Sequence, residues 1–176
     1  MKRKIILITI LILLLVGCSK NLTVKEATSD YLNRYINLDE SIVEQLNTQA
    51  TRYYKNNFVK DKYIDVLKRQ YSNLEYEIIN EIYDKEFAYT NIKVKVYDLY
   101  KAQKDAANDI NDFILPDGNY DMDAFNLYKL DKMLTTEDKI ENTITIKLLR
   151  EENNWEVLQL SNENLEKLHG IYNYET

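Results

Sequence analysis

Leu74-Glu75-Tyr76-Glu77-Ile78, continuing to Glu81 and Ile82, and then Ala88-Tyr89-Thr90-Asn91-Ile92-Lys93-Val94-Lys95-Val96-Tyr97 are the runs whose reading decides the fold. In the first, Leu74, Tyr76, Ile78 and Ile82 alternate with Glu75, Glu77 and Glu81. In the second, Ala88, Thr90, Ile92, Val94 and Val96 alternate with tyrosine, asparagine and lysine. A period of two with one apolar face describes a half-buried strand. Asp84-Lys85-Glu86 breaks the pattern between them, so the two runs predict an antiparallel hairpin. Its outer face carries Glu75, Glu77 and Glu81 opposite Lys93 and Lys95, and each such cross-strand charge pair contributes a few tenths of a kcal/mol.

On either side of this hairpin the period changes to that of a helix. Upstream, Thr23 with Glu26 three residues on is a capping box, and Leu22 with Ala27 is placed as its hydrophobic staple. Ala27, Tyr31, Tyr35, Leu38, Ile42 and Leu46 then follow at helical spacing, with a restart expected near Asn37-Leu38-Asp39, because Asn and Asp favour caps. A second helix covers Phe58 to Tyr71, with Val59, Tyr63 and Tyr71 on one face. Downstream, Leu99, Ala102, Ala106, Ile110 and Phe113 predict one helix that Pro116 ends. A turn at Pro116-Asp117-Gly118-Asn119 leads to a helix over 123–134. Strands follow over 140–149 and 155–160, and a last helix is capped by Ser161 and ended by Gly170. The order predicts an α+β domain over 23–176. Four antiparallel strands pack on N-terminal helices, with a helical insertion between the second and third strands. No internal repeat or low-complexity segment interrupts it.

The N-terminus gives an address. Lys2, Arg3 and Lys4 precede an apolar run from Ile5 to Val16, broken only by Thr9. That run is short of the roughly 20 residues that span a bilayer and has the form of a signal peptide. Leu15-Val16-Gly17-Cys18 resembles a bacterial lipobox. The resemblance implies cleavage between Gly17 and Cys18, loss of residues 1–17 and lipidation of Cys18. An uncleaved short anchor and an ordinary secretory signal are the alternatives. The expected location is the outer face of the cytoplasmic membrane, held by lipid. Residues 18–22 form a spacer of at most roughly 15–18 Å, at about 3.5 Å per residue.

Composition narrows the function classes. The chain of 176 residues carries 23 basic and 29 acidic residues; losing the three basic residues of the leader takes the net charge from −6 to −9. Such a surface is repelled by phosphate backbones, and no nucleic-acid partner is expected. Cys18 is the only cysteine, so lipidation leaves no thiol for catalysis, disulfides or metal binding. The three glycines, Gly17, Gly118 and Gly170, cannot form a Gly-rich phosphate loop. No cofactor is expected.

The element order looks like the cystatin-like or nuclear-transport-factor-like half-barrel, in which a curved sheet wraps around N-terminal helices. More closely, the chain resembles a group of uncharacterised small lipoproteins of low-GC Gram-positive bacteria. The resemblance lies in the run from Lys68 to Ile78, in Val94-Lys95-Val96-Tyr97-Asp98, in Trp155-Glu156-Val157 and in Glu166-Lys167-Leu168-His169-Gly170-Ile171-Tyr172. That family has no assigned reaction, so the resemblance implies fold and address and no catalytic residue.

Four sets of residues are candidates for chemistry. Asp117, Asn119, Asp121 and Asp123 are spaced like the first ligands of a calcium loop, although Met122 and Tyr128 stand where that loop wants Gly and Glu. A solvated turn whose Asp121 or Asp123 caps the next helix is the competing reading. His169, the only histidine, sits near a helix C-terminus, which suits its dipole. Asp98 falls on the inward parity of the second strand. Isomerases of the half-barrel fold use such a carboxylate as base, while a helix cap explains the same residue. Among fifteen tyrosines, Tyr31, Tyr35, Tyr63, Tyr71 and Tyr76 are placed to line a pocket mouth or to pack at the core edge. The expected function is a membrane-anchored module that binds a small molecule or an envelope protein. An isomerase or hydratase using Asp98, or a structural envelope component, is the alternative.

Overall fold

The computed structural model of the chain describes residues 22–152 and 154–175; Gly17, Cys18 and the leader lie outside the described residues. Three helices come first: α1 (Val24–Ile36), α2 (Glu40–Tyr53) and α3 (Asn57–Ser72). They lead into strands β1 (Glu75–Asp84) and β2 (Phe87–Tyr97). Helices α4 (Leu99–Ala107) and α5 (Met122–Thr135) precede β3 (Lys139–Glu151) and β4 (Asn154–Val157), and α6 (Asn162–His169) closes the order. The strands form one antiparallel sheet in the order β1-β2-β3-β4, an open α+β arrangement with α4 and α5 inserted between β2 and β3.

Local chemistry explains most of the boundaries. Thr23 and Glu26 form the reciprocal capping box, with the Thr23 amide donating to Glu26 Oε2 at 2.9 Å. The restart between α1 and α2 falls on Asn37–Asp39, where Leu38 takes a left-handed φ of 52°. Asn56, Asp98, Asp121 and Ser161 each accept a backbone N–H at the start of a helix. The expected helix from Leu99 to Phe113 is shorter than its periodicity implies. It stops at Ala107, and Ile110–Phe113 is a 3-10 turn. Asn108 and Asp109 lie at the break, and such residues offer the backbone local alternatives to the helix.

The core runs from Val24 to Leu168. It joins the inner face of the sheet (Ala88, Ile92, Val94, Val96, Ile144, Ile146 and Leu148) to the apolar stripes of the helices. These residues form one continuous cluster within the described segment. One hydroxyl pair crosses it, with Thr28 Oγ1 of α1 and Thr90 Oγ1 of β2 3.0 Å apart and fully buried. Among the described residues, no helix is long and apolar enough to cross a membrane.

The hairpin differs from expectation in its second half. Glu75 pairs with Lys95 and Glu77 with Lys93, as the alternation requires. A bulge between Ile78 and Asn80 then adds one residue to β1. Beyond it the faces exchange: Glu81 stands opposite the buried Thr90, and Ile82 turns outward and is half exposed. One extra residue in a period-two element moves every later side chain to the other face. Glu81 on its new side accepts from the Tyr83 hydroxyl at 2.7 Å.

Candidate functional site

The C-terminal end of helix α6 is joined to the end of β2 through one side-chain amide. Gln70, on the buried stripe of α3, bonds the backbone of Tyr97 as a strand neighbour would: its Nε2 donates to Tyr97 O at 3.0 Å and its Oε1 accepts from Tyr97 N at 3.0 Å. The same Nε2 donates to His169 O at 2.8 Å. Gly170 makes this approach possible. It takes a left-handed φ of 70°, and a Cβ there would fall 2.1 Å from Tyr97 O and 2.3 Å from Gln70 Nε2. His169 is thereby fixed with its ring against Tyr71, Nε2 lying 2.8 Å from the phenol oxygen. Burial pushes the imidazole down to about 4, so it is neutral at pH 7.

From His169 a column of rings extends outward. Tyr71 meets the imidazole in a tilted contact at 5.6 Å between centroids, and Tyr35 and Tyr31 follow edge to face at 5.0 and 5.4 Å. The Tyr31 and Tyr35 hydroxyls are 3.1 Å apart. Burial raises all three phenols above their ordinary range. The column forms one wall of a cavity of about 690 Å³ between α1, α2 and the segment joining β4 to α6. Ile42, Leu46, Leu160 and Leu165 provide its apolar surface, and Arg34 and Ser41 stand at one end, bonded at 2.7 Å.

A second cavity of about 510 Å³ lies on the other side of α6, under the C-terminal end of α2. Tyr53, Tyr54 and Tyr63 cluster there with centroids 5.5 to 6.1 Å apart, above Leu130 and Met133 of α5. The two cavities share Gln49, Leu165 and His169, which places them end to end along α2. At that junction Gln49 Oε1 is buried and accepts no hydrogen bond from the described residues. A buried acceptor without a donor costs about 1–3 kcal/mol, which a ligand N–H or O–H would offset.

The expected candidates are distributed as follows. Tyr31, Tyr35 and Tyr71 line the larger cavity and Tyr63 the smaller, while Tyr76 packs against the core from β1 and lines neither. Asp98 is the cap of α4: one oxygen accepts from Lys101 N and the other from the Tyr174 hydroxyl, at 2.9 Å each. It is buried, and it lines none of the cavities described. That contact pushes the Tyr174 phenol up to about 12. Asp117, Asn119, Asp121 and Asp123 do not converge. Asp117 accepts from Asn119, Asp121 caps α5, and Asp123 accepts from Asn56 Nδ2 at 2.9 Å. Among the described residues no three His, Cys, Asp or Glu side chains are grouped to hold a metal ion.

Sequence reasoning missed Gln49, Gln70 and Lys129. A usable signal was present, because each occupies an apolar stripe: Gln49 follows Ile42 and Leu46, Gln70 follows Val66 and Leu67, and Lys129 lies between Phe125 and Met133. No known protein family, curated protein or solved structure matches this chain.

Proposed function

We propose that this chain is a lipid-anchored, extracytoplasmic binding module whose ligand occupies the cleft between α2 and α6. The observation that carries the reading is the meeting of two cavities, about 690 and 510 Å³, at a buried amide oxygen without a protein donor. Both fall within the roughly 300–1,000 Å³ common for small-molecule sites, and both combine apolar walls with a few convergent polar groups. Those groups include amides, phenols and a neutral imidazole, which orient a ligand through hydrogen bonds, and the walls also carry Arg34 and Glu44 in the larger cavity and Lys129 and Glu166 in the smaller. Binding is favoured over reaction because Asp98 already caps a helix and accepts from a tyrosine. The address rests on the leader, on Cys18 and on the resemblance to uncharacterised small lipoproteins of low-GC Gram-positive bacteria.

N-phenyl-1-naphthylamine, an uncharged fluorescent probe, tests the cleft. The domain without its leader is expected to bind it saturably at one site, and Leu165→Trp, which fills the wall shared by both cavities, is expected to abolish the signal. Binding unaffected by Leu165→Trp refutes the site. Metabolic labelling with a palmitate analogue tests the address, and label that survives Cys18→Ala refutes it.

A further inference from the structure

We infer that the smaller cavity is the anion end of the cleft. It takes the carboxylate of an N-acylated amino acid or of a peptide C-terminus, with Lys129 facing the carboxylate and Gln49 Oε1 accepting the ligand N–H. The inference deepens the binding reading and rests on it.

Three observations carry it. Lys129 is half-buried on α5 in the wall of the smaller cavity. Its ammonium lies 5.9 Å from the centroid of the Phe125 ring, and no carboxylate of the described residues lies within ion-pair distance of it. Glu166 stands in the same cavity wall but is exposed and makes no ion pair with it. Desolvation alone holds the Lys129 ammonium below its ordinary range, and a bound anion would reverse that cost. Second, the hydroxyls of Tyr54 and Tyr63 in the same walls make no hydrogen bond with the described residues, so phenol donors accompany the ammonium. Third, the junction presents the reverse need, because the Gln49 oxygen lacks a donor. A ligand that brings an acceptor to one end and an N–H to the other satisfies both. An acylated α-amino acid carries its carboxylate and its amide N–H on one α-carbon. The chain as a whole is acidic, so this preference is local to the cleft and opposes the long-range field.

The test uses the leaderless domain and displacement of the neutral naphthylamine probe. N-acetyl-L-tyrosine is expected to displace it at least tenfold more effectively than N-acetyl-L-tyrosinamide, which lacks the carboxylate. It should also surpass 3-(4-hydroxyphenyl)propionate, which lacks the N–H. Lys129→Met is expected to erase the first preference and Gln49→Leu the second, each read as a ratio of displacement constants measured against the probe's own affinity for that variant. An acetylated pentapeptide acid that binds more tightly than N-acetyl-L-tyrosine identifies a peptide terminus as the source; equal or weaker binding identifies the free acyl amino acid. Equal displacement by acid and amide overturns the inference. So does an acid preference that survives Lys129→Met, or a failure of N-acetyl-L-tyrosine to compete at all. In each of these cases the probe still binds, which separates failure of the subsite from failure of the cleft; absence of probe binding removes both.

Discussion

Gln70 and Gln49 face the same helix, α6, from neighbouring helices, and their surroundings treat them in opposite ways. Every polar atom of the Gln70 amide is engaged, with Tyr97 and with His169. The Gln49 oxygen is equally shut off from solvent and has no donor. A buried amide that replaces a strand neighbour contributes to the fold, because removing it strands backbone groups. A buried amide without a partner costs stability, and the cavities on both sides of it supply the reason to keep it. The difference separates a region built to be rigid from one built to receive something.

Substitutions can break or sharpen that contrast. The largest effect is expected at the engaged end. Gly170→Ala forces a Cβ into Tyr97 and Gln70 at a left-handed φ, and urea denaturation should show a loss of roughly 4 kcal/mol or more, or no folded protein. Gln70→Leu keeps the volume and strands the Tyr97 N–H and two carbonyls; a loss of about 3 kcal/mol is expected.

His169 joins both regions and gives the pH dependence. Its pKa in the fold, about 4, lies below the ordinary 6.5, so the unfolded chain binds the proton more readily. Its contribution is therefore fully present above about pH 6.5 and is lost as pH falls toward 4. Between pH 7 and 5 the loss should be about 2 kcal/mol, and His169→Gln should flatten that slope in a series of denaturation curves. The smallest effect is expected at Gln49. Gln49→Leu removes an unpaired acceptor and should leave stability unchanged or raise it by about 1 kcal/mol. A cost equal to that of Gln70→Leu would mean that the two glutamines do the same job.

The hairpin was legible because Glu75 to Ile78 and Ala88 to Val96 alternate without exception over their length. So were the caps at Thr23, Asp98 and Ser161 and the stop at Gly170, since each depends on neighbours within four residues. The bulge after Ile78 was not. A single added residue leaves alternation on both sides of it, and only the partner strand reveals the phase. Of the site, the tyrosines could be named by type but not assembled. Tyr71 and His169 are 98 positions apart, and no local pattern links them. Gln49 and Lys129 lay on apolar stripes in plain view, but polar residues in stripes gain meaning only when the packing around them is known.

The bulge has a further consequence. β1 is an outer strand of the sheet, and Ile79, Ile82 and Tyr83 on it are at least half exposed. An open strand edge with apolar side chains is a template on which a second copy can extend the sheet. Copies held on one surface, as the proposed lipid anchor would hold them, would meet edge to edge more often than in free solution. Glu77 places a charge along this edge, Glu75 is paired with Lys95 and Lys139, and the bulge breaks the edge's run of evenly spaced backbone donors midway. Deleting Ile79 would straighten β1, and sedimentation is expected to show more self-association than in the unchanged chain.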